Sequence, residues 1–284
     1  MFLSKFAIAV LPTLIFLLPA SSFAQRAEVN RFKEKYSIPA DKVFRVDIEI
    51  DAGEVTIHKS PNDKEARVII DYDEEEFRVY SDFDEKRSRL DIEFEKKGWG
   101  NSKDNAVAEA LIELPTGVEV DLEAKIKAGE IDLDFGGLAL TRLDLTTWAG
   151  EVVVGFSEPN KSDMEFMKIN TKVGETRIRE LGNARFREAE INGGIGEMSV
   201  DLRGNMLSEA EAHIDLDIGE TTLYLPEEAG VKLVVSKFLF LSDVSVPYGL
   251  KKSGRYYYSK NFDVAKNRLD VRVSPGLGEL QIDY

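Results

Sequence analysis

The chain has 284 residues, 37 Lys and Arg against 52 Asp and Glu, a net charge of −15 at pH 7, and no cysteine. That acidity repels phosphate backbones and argues against nucleic acid and against direct docking on anionic lipid, since both need clustered Lys or Arg. Without cysteine there are no disulfide staples, no thiol nucleophile and no lipidated cysteine, so stability rests on core area.

In chain order, Lys5 precedes an uncharged, mainly apolar stretch from Phe6 to Leu18, then Pro19 and the small-residue segment Ala20-Ser21-Ser22-Phe23-Ala24. These thirteen residues fall short of the roughly 18–20 that cross a bilayer, and Ser22 and Ala24 suit cleavage, so residues 1–24 read as a secretory signal peptide. The expectation is an exported protein, periplasmic or at the cell surface, with no transmembrane anchor after cleavage. Loss of Lys5 and of no acid takes the net charge to −16. Residues 25–42 are charged, pass through Ser37-Ile38-Pro39, and read as a linker or short helix. Val43–Lys59 alternates apolar and polar residues, as do Arg67–Tyr80 and Ser88–Glu95, which is the period of a strand. Gly98-Trp99-Gly100-Asn101-Ser102 reads as a loop, and Ala106–Leu114 as a strand running into Pro115.

From there a repeat dominates. Gly-Glu occurs at Gly53-Glu54, Gly129-Glu130, Gly150-Glu151, Gly174-Glu175, Gly196-Glu197, Gly219-Glu220 and Gly278-Glu279, with the five central copies 21, 24, 22 and 23 residues apart. Alternation flanks each copy, but its phase slips across the dipeptide: Ile214, Leu216 and Ile218 before it, Thr221, Leu223 and Leu225 after it. The chain must bend at Gly-Glu to return the same face to the core, and glycine admits the backbone angles of such a corner. A two-strand unit of about 22 residues cannot bury its own face, so units must stack. The expected fold is an all-β solenoid, regular over residues 118–225 and irregular at both ends, with 43–284 as a single elongated domain. An antiparallel sandwich is the alternative, and it predicts no fixed period. After Leu225-Pro226, Val231–Val246 is strongly apolar, Pro247–Ala265 is basic and rich in tyrosine, and Arg268–Tyr284 restores the repeat.

Stacked glutamates would form a column spaced about 4.8 Å, and neighbouring carboxylates at that distance repel by about 1 kcal/mol in water. Water, backbone amides at the bend, neighbours such as Lys172, Arg177 and Arg179, or a shared divalent cation would each relieve this. The acid run Asp71–Glu76 reads as a solvated turn, with a hard cation as the alternative. His58 and His213 fall at outward positions, outside any Ser-His-Asp, His-Glu-x-x-His or Gly-x-Ser-x-Gly context. No catalytic, cofactor-binding or metal residue is assigned, and the chain is not expected to be an enzyme; two carboxylates acting as a glycosidase are the remaining enzymatic alternative. Trp148, between Thr147 and Ala149, should face outward. Tyr256, Tyr257 and Tyr258, flanked by Lys251, Lys252, Arg255 and Lys260, form a basic aromatic patch. Trp148 and these three tyrosines are the candidate partner contacts.

Three segments carry a resemblance: Ile48-Glu49-Ile50-Asp51-Ala52-Gly53-Glu54-Val55-Thr56-Ile57, Ile112-Glu113-Leu114-Pro115, and Val271-Arg272-Val273-Ser274-Pro275-Gly276-Leu277-Gly278-Glu279-Leu280. With the recurrent Gly-Glu strands, they make the chain resemble the bacterial adhesin-like, or toast-rack, family, which includes the extracytoplasmic β-domain of LiaF-type cell-envelope stress regulators. The resemblance spans about Val43 to Tyr284 and implies no catalytic residues to carry over. LiaF-type proteins place membrane helices before this domain, whereas this chain opens on a signal-peptide pattern. The expected role is a non-catalytic adhesion, scaffold or protein-interaction module for an unidentified envelope protein or polysaccharide. A soluble part of a stress-sensing system and a carbohydrate-binding or carbohydrate-active solenoid are the alternatives.

Overall fold

Period-two alternation makes strands, and one glycine per unit bends them. The computed structural model describes residues 29–98, 106–236 and 242–284; the segment expected to be a signal peptide, residues 1–24, and Trp99 lie outside these. Seven strands come first: β1 (Val29–Ser37), β2 (Phe44–Ile50), β3 (Gly53–Lys59), β4 (Glu65–Asp73), β5 (Phe77–Asp84), β6 (Arg89–Lys96) and β7 (Ala108–Leu114). Five long ones follow: β8 (Glu119–Asp134), β9 (Ala139–Gly155), β10 (Met164–Arg179), β11 (Phe186–Asp201) and β12 (Glu209–Tyr224). Six short ones close the chain: β13 (Gly230–Val235), β14 (Ser242–Ser245), β15 (Lys251–Ser253), β16 (Tyr256–Tyr258), β17 (Arg268–Ser274) and β18 (Leu277–Asp283).

Strands β8 to β12 stack parallel and in register, glycine on glycine and glutamate on glutamate, so each is one rung with a corner in its middle. In β8 the buried set is Val120, Leu122, Ala124 and Ile126 before the corner, then Ile131 and Leu133 after it. The one-residue slip is real, and both legs of every rung turn their apolar side to one continuous core. The corner glycines have φ between +128° and +151°. A Cβ on Gly129 would stand 1.8 Å from the carbonyl oxygen of Gly53 on the adjacent rung. Glycine is therefore required twice over, for its backbone angle and for the close approach of the stacked corners.

The inward set ends two residues earlier than the alternation suggests. Ile218 is 45% exposed and Ala149 is also exposed, so neither joins the inward set with Leu216 and Thr147. The corner turns over the residues just before and just after the glycine as well, and their side chains leave the core.

The 24-residue interval between Gly150 and Gly174 holds a longer return loop. There buried Asn160 accepts from the Leu140 N–H and donates to the Leu140 carbonyl, both at 2.8 Å, standing in for a strand neighbour.

The terminal rungs do not follow chain order. β2 and β3 lie on β8, while β6 and β7, later in sequence, pair on their far side. At the other end β17 and β18 lie on β12, and the earlier strands β13 and β14 pair outside them. Antiparallel strands then finish the ends: β4 on β7, β1 on β4, β5 on β6, β16 on β13 and β15 on β16. An end rung has an apolar face with no next rung to cover it, so such irregular strands and their aromatic rings serve as lids. Phe77, Phe94 and Tyr72 close one end, with Phe77 and Phe94 ring centroids 5.0 Å apart and Tyr72 6.1 Å from Phe94.

The linker or helix expected over residues 25–42 is a strand where it is described: Val29–Ser37 pairs antiparallel with β4 along its whole length. Phe32 and Tyr36 pack on the core from one side of β1, and Arg31 grips Asp71 at 2.6 Å. A charged segment is a good edge strand because its charges discourage further pairing. Asp71 thus leaves the acid run as an ion-pair partner, while buried Asp73 accepts from the Glu75 N–H at 2.9 Å and shapes the turn. Among the described residues, no helix is long and apolar enough to cross a membrane.

Candidate functional site

The corner that removes Ile218 from the core removes its equivalents too. Val173, Ile195, Ile218 and Leu277 each precede a corner glycine, pair in register across four consecutive rungs, and are 53, 53, 45 and 38% exposed. Neighbouring rungs are about 4.8 Å apart, so these side chains form a straight apolar row about 14 Å long. Ala149 and Ala128 extend it with smaller side chains on the next two rungs. Trp148, one position further from its glycine, is 41% exposed and faces outward as the sequence predicts. Ten large hydrophobic side chains are exposed among the described residues, and five of them stand at this one corner. Scattered apolar exposure is ordinary, whereas an aligned row of large apolar side chains is not.

The glutamate column runs beside the row, just past the glycines. Arg177 relieves part of it, lying 2.6 Å from Glu151 and also bonded to Glu175. The hydrogen bond to Glu151, then the charge of Glu175, raises the guanidinium pKa. Glu54, Glu130, Glu197, Glu220 and Glu279 have no ion pair or side-chain hydrogen bond among the described residues, and Lys172 and Arg179 do not reach them. No group of three or more His, Asp or Glu among the described residues is arranged to hold a metal ion. Glu197 feels Arg177 only through space, without an ion pair, and Glu220 and Glu279 have no ion pair among the described residues, so carboxylate charge runs along Ile195, Ile218 and Leu277.

The tyrosines are elsewhere. β16 carries Tyr256, Tyr257 and Tyr258 at the C-terminal end, between β13 and β15, all partly buried. Tyr257 packs on the core. Lys232 and Arg255 lie 4.9 and 4.8 Å from the Tyr256 ring centroid, and Lys252 lies 5.4 Å from that of Tyr257. These rings already hold cations of their own chain, and they do not meet Trp148 in one site. Both histidines are engaged: the His58 ring nitrogen Nδ1 is 2.8 Å from the Lys59 carbonyl oxygen, and His213 Nε2 is 2.9 Å from Glu211.

A second acidic feature lies on the outer face of the first legs, where Asp47, Asp91, Glu49, Glu93 and Glu123 surround a shallow cavity of about 340 Å³ with Arg89 and Lys125. Burial raises the Asp47 pKa, Arg89 at 3.0 Å opposes this, and Asp91, Glu123 and Asp121 raise it further. A carboxyl that binds its proton more tightly in the fold than in the open chain loses stability as pH rises from its unfolded to its folded pKa. Asp47→Asn is thus expected to melt at or above the wild-type temperature at pH 7, with the difference vanishing below about pH 4. A lower melting temperature at pH 7 would show that the Arg89 pair outweighs burial.

The row was missed in the sequence because its members share the apolar character of the core set. The available signal was positional: an apolar residue directly before the glycine in four successive repeats.

Among known proteins, residues 25–179 match the family model described as the N-terminal domain of toast_rack, DUF2154. The chain is 31% identical over 103 residues to protein LiaF of Bacillus subtilis (strain 168), covering 34% of this chain and 42% of LiaF, so it spans less than half of that relative's length. Two solved structures align with most of the chain. One is a putative cell adhesion protein from Clostridium sporogenes, 18% identical, covering 89% of this chain and 99% of its own with a TM-score of 0.44. The other is a putative adhesin from Bacteroides fragilis, 11% identical, covering 89% and 97% with a TM-score of 0.37.

Proposed function

Because this chain belongs to the toast-rack family, we propose that it is a non-catalytic binding module of the bacterial cell envelope, exported from the cytoplasm and engaging a protein partner through its corner row. The observation that carries this reading is the in-register exposure of Val173, Ile195, Ile218 and Leu277 beside Glu197, Glu220 and Glu279. An apolar row flanked by unpaired carboxylates suits a segment that offers apolar side chains next to Lys or Arg, which supply attraction and register together. A second copy of this chain fits less well, since its own corner repeats the same acidic column.

A photo-crosslinking residue at position 195, activated in cells, tests this. The expected product is one discrete adduct whose cross-linked peptide carries Lys or Arg beside apolar residues, and Glu197→Gln/Glu220→Gln should weaken it. Adducts confined to a second copy, spread over many unrelated peptides, or unaffected by the charge change would overturn the reading.

The likeness to LiaF supports a second reading, a soluble component of envelope-stress sensing. Deleting the chain would then alter a stress-reporter response, whereas a scaffold or adhesion module leaves it unchanged.

A further inference from the structure

The whole-chain charge hides a strong local reversal. Between residues 247 and 268 stand Lys251, Lys252, Arg255, Lys260, Lys266 and Arg268 against a single acid, Asp263, in a chain whose net charge is −15. All six cations are exposed, and none has an ion-pair partner among the described residues. Lys251 and Lys252 lie on β15 and Arg255 in its turn to β16, at the end of the solenoid where these strands cover β13; Lys260 and Lys266 follow in the next loop, and Arg268 opens β17, one rung further in.

The same end carries the two most exposed large hydrophobics of the described residues, Tyr248 at 106% and Val264 at 84%. Their loops are neighbours: Gly249, Lys260 and Asn261 line one cavity of about 300 Å³ with Tyr284 and Glu227. The Val264 loop is held in shape, because the Val264 N–H donates to the Asn261 carbonyl at 3.0 Å and the Asn261 side chain donates to the carbonyls of Glu227 and Glu228 at 3.1 Å. The Leu250 N–H donates to the Pro247 carbonyl at 3.2 Å across Tyr248, so both apolar tips are presented by hydrogen-bonded turns.

We propose that this end of the solenoid docks on an anionic lipid surface, with Tyr248 and Val264 entering the interface and the six cations meeting the headgroups. Lysines and arginines around an exposed tyrosine and an aliphatic tip match the chemistry of a bilayer boundary, where an amphipathic ring and a short apolar side chain lie among phosphates. A soluble phosphate polymer would account for the cations but not for Val264. Repulsion by the acidic body is weak at this distance: charges are screened within about 8 Å at physiological salt, roughly two rung spacings. The acids at this end that oppose docking include Glu227, Glu228, Asp243 and Asp263. Docked this way, the molecule stands end-on, its acidic body pointing away from the membrane and the corner row free along its side. The inference is independent of the corner reading.

Flotation of the exported protein with phosphatidylcholine vesicles containing about one third phosphatidylglycerol, and with phosphatidylcholine alone, tests it. Binding is expected on the anionic vesicles only, and it should fall sharply between about 0.1 and 0.5 M salt. Lys251→Gln/Lys252→Gln/Arg255→Gln and, separately, Tyr248→Ser/Val264→Ser should each reduce partitioning by about tenfold or more at unchanged melting temperature. Ile195→Ser/Ile218→Ser should leave it intact. No binding to anionic vesicles, or binding at the wild-type level by either end variant, would overturn the proposal. Capture by soluble polyphosphate without vesicle binding would also overturn it and assign the end to an anionic polymer.

Discussion

Gly196→Ala should cost the fold roughly 3 kcal/mol or more, a larger loss than most single-methyl additions produce. Gly196 has φ +144°, and a Cβ there would stand 1.8 Å from the Gly174 carbonyl oxygen. Neither problem can relax locally. The atom in the way is backbone of the adjacent rung, and on the other side the Gly196 carbonyl is itself so close to Gly219 that a Cβ there would stand 1.8 Å from it. Shifting one corner therefore disturbs the in-register pairing of three rungs, and solenoid stability is largely a sum of such neighbour interfaces. At about 2–4 °C per kcal/mol for a chain of this size, thermal unfolding should report a drop near 10 °C. Gly254→Ala is the control: Gly254 also has positive φ, at +62°, but nothing lies within 4 Å of its added Cβ. That variant should lose only about 1 kcal/mol, the cost of a left-handed residue. Equal losses at the two sites would mean that backbone angle alone, not corner stacking, demands the glycine column.

Phe156→Ala should be comparably severe, at about 3–5 kcal/mol. Phe156 is fully buried where a rung turns back, its ring 5.8 Å from that of Phe135 on the adjacent rung. Truncation leaves a cavity between layers held apart by their own hydrogen bonds, so the site cannot collapse to fill it. Ile195→Ser gives the opposite result. The side chain is of similar apolar character, but it is 53% exposed, and its loss should cost less than about 1 kcal/mol. Denaturant unfolding of the two variants separates a residue kept for the core from one the core does not need. A large loss for Ile195→Ser would make the corner row a structural element and remove the main support for its role in binding.

The corner row and the basic end occupy different parts of the molecule, one along the stack and one at its terminus. A stack of rungs suits that separation. A surface held at the end fixes orientation, while the row, repeating at rung spacing, stays available along the side.

The Gly-Glu spacing was enough to read the rungs, because a dipeptide recurring at 21 to 24 residues with alternating flanks has few other physical explanations. The need for glycine at the corner was legible for the same reason. The glutamate column was legible as a column, but not the fact that Arg177 serves Glu151 and Glu175 while Glu197, Glu220 and Glu279 have no such partner. Which residues a long cation reaches depends on the offset between rungs, a distance no linear spacing encodes. Tyr256 to Tyr258 were legible as a basic aromatic cluster; their engagement with Lys232 arises only when β16 folds onto β13.

The sequence by itself determined which side of each leg is apolar, where the chain must bend, and that units must stack, since all three follow from local periodicity and from the steric freedom of glycine. Tertiary structure alone decided the order of the end rungs, the conversion of residues 29–37 into an edge strand, and the release of Val173, Ile195, Ile218 and Leu277 from the core. Ends must be lidded by whatever chain is at hand, and a corner exposes the residues on both sides of its glycine. An apolar residue looks the same in sequence whether the bend carries it inward or out.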